Sequence, residues 1–229
     1  MKKPASSLNL VDTNQLFKVT EWARAHALPG APEKGPTLSY SELLRSVGEF
    51  RKSHGLRTPD ASLAFVSMDP TNKSQQKFPE ALERMGYAVE RLDYRHNYVA
   101  PIGTGSGDVD RTERPSVASL GPQLAYVLGV MTGQATASGP KPEVVLVSGG
   151  FEVFGPLSHF VRRTGGVAVL AFFRRFVDAR WITSGLLDPG GPIRFMDLDP
   201  HAEALLGVDL AKVSRTATST DRGGIDSIF

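Results

Sequence analysis

Polar residues able to do chemistry follow short apolar runs at several points in the chain. Asp12 and Asn14 follow Leu8-Asn9-Leu10-Val11, Asp69 follows the run at 63–68, and Asp93 with Arg95 follows the run at 87–92. Ser148-Gly149-Gly150 follows Val144-Val145-Leu146-Val147, Glu152 stands just beyond it, and Arg174-Arg175 follows the run at 166–172. In an open α/β sheet, ligands bind beyond the carboxyl ends of the strands, so these residues would share one rim. Two or three carboxylates meeting there, with Asp12, Glu152 and Asp69 the candidates, would hold a hard divalent cation, Mg²⁺ or Mn²⁺. Asn14, Arg95, Ser148, Arg174 and Arg175 would then face the phosphates of a nucleic acid. The chemistry of that set is phosphodiester cleavage, in which the metal generates hydroxide and neutralises developing charge.

Each of these residues has a structural role that competes with the chemical one. Asp12 serves equally as a helix N-cap or as a ligand. Asp69 precedes Pro70 and reads first as the start of a turn. Asp93 and Arg95 would form a surface ion pair of little energetic weight, and Arg174-Arg175 reads as a solvated loop. His26, His54, His96, His159 and His201 show no metal-ligand spacing. Gly103-Thr104-Gly105-Ser106-Gly107 matches neither a dinucleotide fingerprint nor a P-loop and reads as a flexible loop. No nucleophile elbow surrounds Ser148, so a hydrolase triad has no support.

The elements that must position these residues alternate between strand and helix. The apolar runs beginning at Leu8, Leu63, Tyr87, Glu143, Gly166 and Ile193 read as strands. Helical stripes lie between them: Leu16, Val19 and Ala23; Leu43, Leu44, Val47 and Phe50; Phe78, Ala81, Leu82 and Met85; Leu124, Val127, Leu128 and Met131; Leu157, Phe160 and Val161. Ser41 is the expected N-cap of the second stripe and Gly55 its stop. The 97–119 segment reads as a long exposed loop. The alternation predicts an α/β fold, a three-layer α/β/α sandwich on a mainly parallel sheet of Rossmann-like type. It predicts one domain over 1–213 and a flexible tail over 214–229.

Composition sets the outer bounds. The 229 residues include 26 Lys plus Arg and 24 Asp plus Glu, a net charge of +2 that neither demands nor forbids a nucleic-acid partner. Cysteine is absent, which excludes disulfides, thiol nucleophiles and thiolate zinc sites. No apolar run approaches the roughly 20 residues of a membrane span, and Lys2-Lys3 has no apolar signal core behind it. A cytoplasmic location with no membrane contact is the expectation.

Leu8-Asn9-Leu10-Val11-Asp12-Thr13-Asn14 resembles the opening strand of NYN domains, which belong to the PIN-like nuclease superfamily and include the LabA-like proteins. The 78–89 segment is similar to that family's next helix and third strand. The block from Val144 through Ser148-Gly149, Phe154-Gly155-Pro156-Leu157 and Gly165-Gly166-Val167-Ala168-Val169 is similar to its most recognisable part. The likeness runs in order over about 8–198. It implies a PIN-like fold and descent from a metal-dependent ribonuclease with an acidic cluster. Carried over one residue at a time, Asp12 matches the first acid and Asn14 its companion. The family's second acid opens the helix after the long loop, where this chain has Leu120-Gly121-Pro122-Gln123. Its S-G-D-x-D-F block reads here Ser148-Gly149-Gly150-Phe151-Glu152-Val153-Phe154, one residue longer, with Gly150 in place of an acid and Glu152 as the stand-in for the other.

A site so depleted implies weakly bound Mg²⁺ or Mn²⁺, or none, because affinity grows with the number of carboxylates. The resemblance therefore implies a regulatory protein that binds RNA or single-stranded DNA with weak or lost nuclease activity. An active divalent-metal ribonuclease using Asp12 and Glu152 is the alternative. A third reading is a protein-interaction module, or homodimer, working through the sheet edge or the Gly224-Ile225-Asp226-Ser227-Ile228-Phe229 tip.

Overall fold

A computed structural model describes residues 6–26, 35–68, 73–93, 120–136, 139–185, 187 and 191–210. Asp69, Arg95, the glycine-rich 103–107 stretch, the 97–119 loop and the 214–229 tail, each given an expectation above, lie outside the described residues. The strands are β1 (Ser7–Asp12), β2 (Ala61–Met68), β3 (Ala88–Asp93), β4 (Glu143–Val147), β5 (Val167–Phe172) and β6 (Ile193–Asp197). The helices are α1 (Thr13–Ala25), α2 (Tyr40–Ser53), α3 (Lys73–Arg84), α4 (Gly121–Gln134), α5 (Phe154–Thr164), α6 (Ala179–Thr183) and α7 (Ala202–Leu206).

The strands form one six-stranded sheet in the order β3-β2-β1-β4-β5-β6, with every pairing parallel. A parallel sheet is covered on both faces, which accounts for the unbroken burial along β1 and the near-unbroken burial along β4 and β5. Helix α2 packs on α7, and α4 packs on α5. These layers enclose the sheet in a three-layer α/β/α sandwich of Rossmann-like order. Leu10, Leu16, Leu43, Val145, Leu146, Phe160, Leu170 and Trp181 are among its fully buried side chains. Each large apolar residue so buried contributes about 1.5–3 kcal/mol relative to exposure. No helix among the described residues is long and apolar enough to cross a membrane.

The chain moves outward from β1 to β3, then returns past β1 to β4 and continues the other way. Connections therefore leave β1 and β4 in opposite directions, which opens a crevice at their carboxyl ends. Register places Val11 opposite Val147, so Asp12 and Ser148 are the next residues on adjacent strands.

Local signals set the helix ends. Helix α2 starts earlier than the sequence suggests, because Ser39, and not Ser41, accepts the Glu42 N–H at 3.3 Å. The reason is tertiary: Tyr40 packs edge-on against Phe78 and Tyr87, and that anchor draws the first turn back over it. Gly165 ends α5 at φ +58°, in the left-handed region where a glycine carries no steric cost.

At the opposite end of β1 from the crevice, Arg51 of α2 is buried under the sheet. Its guanidinium donates to Asn9 Oδ1 at 2.8 Å, Ser7 Oγ at 2.9 Å, the Leu8 carbonyl at 2.7 Å and the Arg57 carbonyl at 2.8 Å. Glu143 lies 3.6 Å from it. One planar cation thus ties α2 to the starts of β1 and β4, and the amino end of the sheet becomes a fixed base.

Candidate functional site

Asp12 ends β1 and caps α1, so two structural duties fall on one carboxylate. The backbone N–H groups of Asn14 and Gln15 donate to its Oδ1 at 3.0 and 3.1 Å. The Ser148 hydroxyl donates to its Oδ2 at 3.2 Å, and Ser148 Oγ in turn accepts the Gly150 N–H at 3.3 Å. Asp12 is 1% exposed and Ser148 is fully buried. Burial disfavours the charged form and, with the nearby Glu152 charge, outweighs these hydrogen bonds, pushing the Asp12 carboxyl up to about 6.

Backbone shape brings Glu152 to this point. A side chain at Gly149 would stand 2.5 Å from the Phe172 ring and 2.7 Å from the Phe176 carbonyl, so the turn after β4 needs a glycine to pass over β5. At Gly150 the space a side chain would fill is taken by the Glu152 carboxylate, whose Oε2 lies 2.3 Å from the Cβ position. Glu152 folds back over the turn while remaining exposed.

Among the described residues no three of His, Asp and Glu are grouped closely enough to hold a metal ion. The crevice supplies Asp12 and Glu152, and both oxygens of Asp12 already accept hydrogen bonds within the protein. Cations take 6–8 oxygens as Ca²⁺, or an octahedral set as Mg²⁺, and favour ionised carboxylates. The described donor set does not fit such a cage.

A second layer stands over the same turn. Phe151 and Phe154 stack with centroids 4.5 Å apart, and Trp181 meets both rings at 5.5 and 5.4 Å. Trp181 Nε1 donates to the Gly150 carbonyl at 3.0 Å, and the Asp178 N–H donates to the Gly149 carbonyl at 3.0 Å. The Asp178 carboxylate accepts Arg180 Nε at 2.9 Å and Nη2 at 2.7 Å, which holds that carboxyl below its ordinary range.

No protein-family model matches the chain, and no curated protein matches it. Its fold is similar to that of a crystallised protein of unknown function from Vibrio parahaemolyticus. The two are 12% identical with a TM-score of 0.52, and the match covers 90% of this chain and 99% of that one. At that identity the likeness speaks to the fold alone.

The structure brings Asp12, Ser148 and Glu152 together, with Asn14 in the first turn of α1 beside them. It carries Arg174 and Arg175 toward β6 instead. Arg174 Nε lies 2.7 Å from Asp197, with its guanidinium 4.9 Å from the Phe195 ring centre, and Arg175 Nε lies 3.8 Å from Asp199. Both arginines therefore face carboxylates supplied later in the chain, by the end of β6 and the turn that follows it. Asp178 caps α6 and pairs with Arg180. Helix α4 opens on Leu120 with no side-chain cap and no carboxylate in its first turn. A cavity of about 350 Å³ lies between Leu63, Phe65 and Glu90 of the sheet and Pro122, Gln123, Tyr126 and Val127 of α4; Phe65 pairs with Asp12 across β1 and β2. The aromatic group of Phe151, Phe154 and Trp181 escaped the sequence reading. Its signal was the three-residue spacing of the two phenylalanines at a helix start, which also fits an ordinary core stripe.

Proposed function

We propose that this chain is an NYN-domain protein of the PIN-like superfamily that binds RNA or single-stranded DNA at the β1/β4 crevice, in a regulatory role with weak or lost nuclease activity. The observation that carries the reading is the state of Asp12. It occupies the position of the family's first acid, yet both of its oxygens are already engaged by the α1 cap and Ser148. A carboxyl so engaged is a structural anchor with little capacity left for a metal ion. The ordered sequence likeness over about 8–198 and the open crevice supply the nucleic-acid part of the reading.

Arg174 and Arg175 are cations on the β5 side that a phosphate could reach. The Arg174 pair with Asp197 is largely exposed, and such a pair opens at a cost of about 0–1 kcal/mol, so a phosphate would compete for the guanidinium. The test is incubation of end-labelled RNA and single-stranded DNA with the protein, with Mn²⁺ or with chelator. Retarded but intact strands support the reading. Mn²⁺-dependent cleavage that disappears in Asp12→Ala overturns it in favour of an active ribonuclease.

A further inference from the structure

Arg180 is the cation whose aromatic seat adjoins the turn after β4. Its guanidinium lies 4.6 Å from the Phe151 ring centre, while Asp178 grips its edge through Nε and Nη2. Phe151 is itself backed by Phe154 and Trp181. Three constraints thus hold one plane: a ring beneath it, a carboxylate along its edge, and an aromatic pair behind the ring. The Arg180 side chain is nevertheless 67% exposed. The carboxylate also offsets most of its charge, so Arg180 is poorly suited to act as a phosphate clamp. An immobilised, near-neutral planar surface is suited to stacking, since every base offers a π-face to a guanidinium or aromatic plane.

Placement favours the same conclusion. The residue that grips Arg180 donates its N–H to the Gly149 carbonyl, and the residue that follows Arg180 donates to Gly150. The Glu152 charge acts on both Asp12 and Arg180. The plane therefore stands on the turn that closes the crevice.

From this geometry we infer that Arg180, mounted on Phe151 and fixed by Asp178, is a stacking platform for an unpaired nucleobase of the strand bound at the crevice. The inference rests on the nucleic-acid reading above and adds what that reading lacks: a group that detects bases in addition to backbone. Stacking of this kind is sequence-tolerant and selects single strands over duplex, whose bases are already stacked.

The experiment compares a labelled single-stranded oligonucleotide with an abasic one of the same length and charge, by fluorescence anisotropy across a salt series. The wild-type protein should bind the base-bearing strand about tenfold more tightly, with equal salt slopes for the two. Arg180→Lys keeps the charge and removes the plane. It should lose that preference while leaving the abasic affinity and the salt slope unchanged. Arg180→Ala should lose the preference too, and a thermal melt matching wild type confirms that both variants are folded. Equal wild-type affinity for the two strands overturns the stacking inference and leaves nucleic-acid binding standing. A preference that survives in Arg180→Lys also overturns it. Absence of binding to either strand at low salt overturns the underlying reading together with it.

Discussion

Replacing Asp12 by asparagine keeps the oxygen that caps α1 and removes the group whose pKa burial raises. In the wild-type protein this carboxyl ionises at about 6 when folded, against 3.8 for an unhindered aspartate. A folded-state value above the unfolded one means that the stabilisation is complete below pH 3.8 and is lost as pH rises through 6. Between those limits the unfolded chain releases its proton while the folded one retains it. At about 1.36 kcal/mol for each pH unit, the wild type loses about 3 kcal/mol that Asp12→Asn does not. The variant also loses a favourable contact, because an amide NH2 stands where Oδ2 accepts the Ser148 hydroxyl, at a cost of about 1 kcal/mol. Asp12→Asn should therefore be about 1 kcal/mol less stable than wild type at pH 3 and about 2 kcal/mol more stable at pH 8. Urea denaturation at a series of pH values reads this directly, since the remaining titrating groups are common to both proteins. Parallel stability profiles, with no crossing between pH 4 and 7, would refute a buried Asp12 with a raised pKa.

Other residues make equally definite expectations. Arg51→Met leaves Asn9, Ser7 and two carbonyls without their shared donor and should cost about 3–5 kcal/mol in chemical denaturation; a loss below about 1 kcal/mol would show that the network is not structural. Gly149→Ala drives a methyl into Phe172 and the Phe176 carbonyl and should lower stability by about 1–3 kcal/mol or more. Gly129→Ala, in α4 where nothing lies within 4 Å of the added atom, should raise stability by up to about 1 kcal/mol. Thermal melts of the two variants moving in the same direction would contradict this account of the turn.

Much of the fold is legible in the sequence because it depends on local pattern. The apolar run of β4 coincides with its expected bounds, and the strands and helices alternate as expected. Strand order follows from no single segment, yet the alternation already restricts the chain to a parallel sheet with helices on both faces. What escapes are contacts made across long sequence distances. Nothing in the local pattern of α2 marks Arg51 as buried until Asn9 and Ser7 come to lie beneath it. Arg174 and Arg175 read as a solvated loop until β6 and the turn after it deliver Asp197 and Asp199. Asp12, weighed equally as cap or ligand, is a cap, and its second oxygen goes to a serine 136 residues away. That Gly150 and Leu120-Gly121-Pro122-Gln123 carry no carboxylate needs no coordinates at all. The stacked Arg180 does, since nothing in the spacing sets a guanidinium on Phe151.

The central claim is that the crevice holds a single strand and does so without a metal. The most direct measurement is the affinity of labelled single-stranded RNA in chelator and again in millimolar Mn²⁺, with the strand recovered afterwards and sized. The expected result is one affinity in both conditions, weakening with salt, and RNA recovered at full length. Binding that appears only with Mn²⁺, or RNA recovered in fragments, would contradict it.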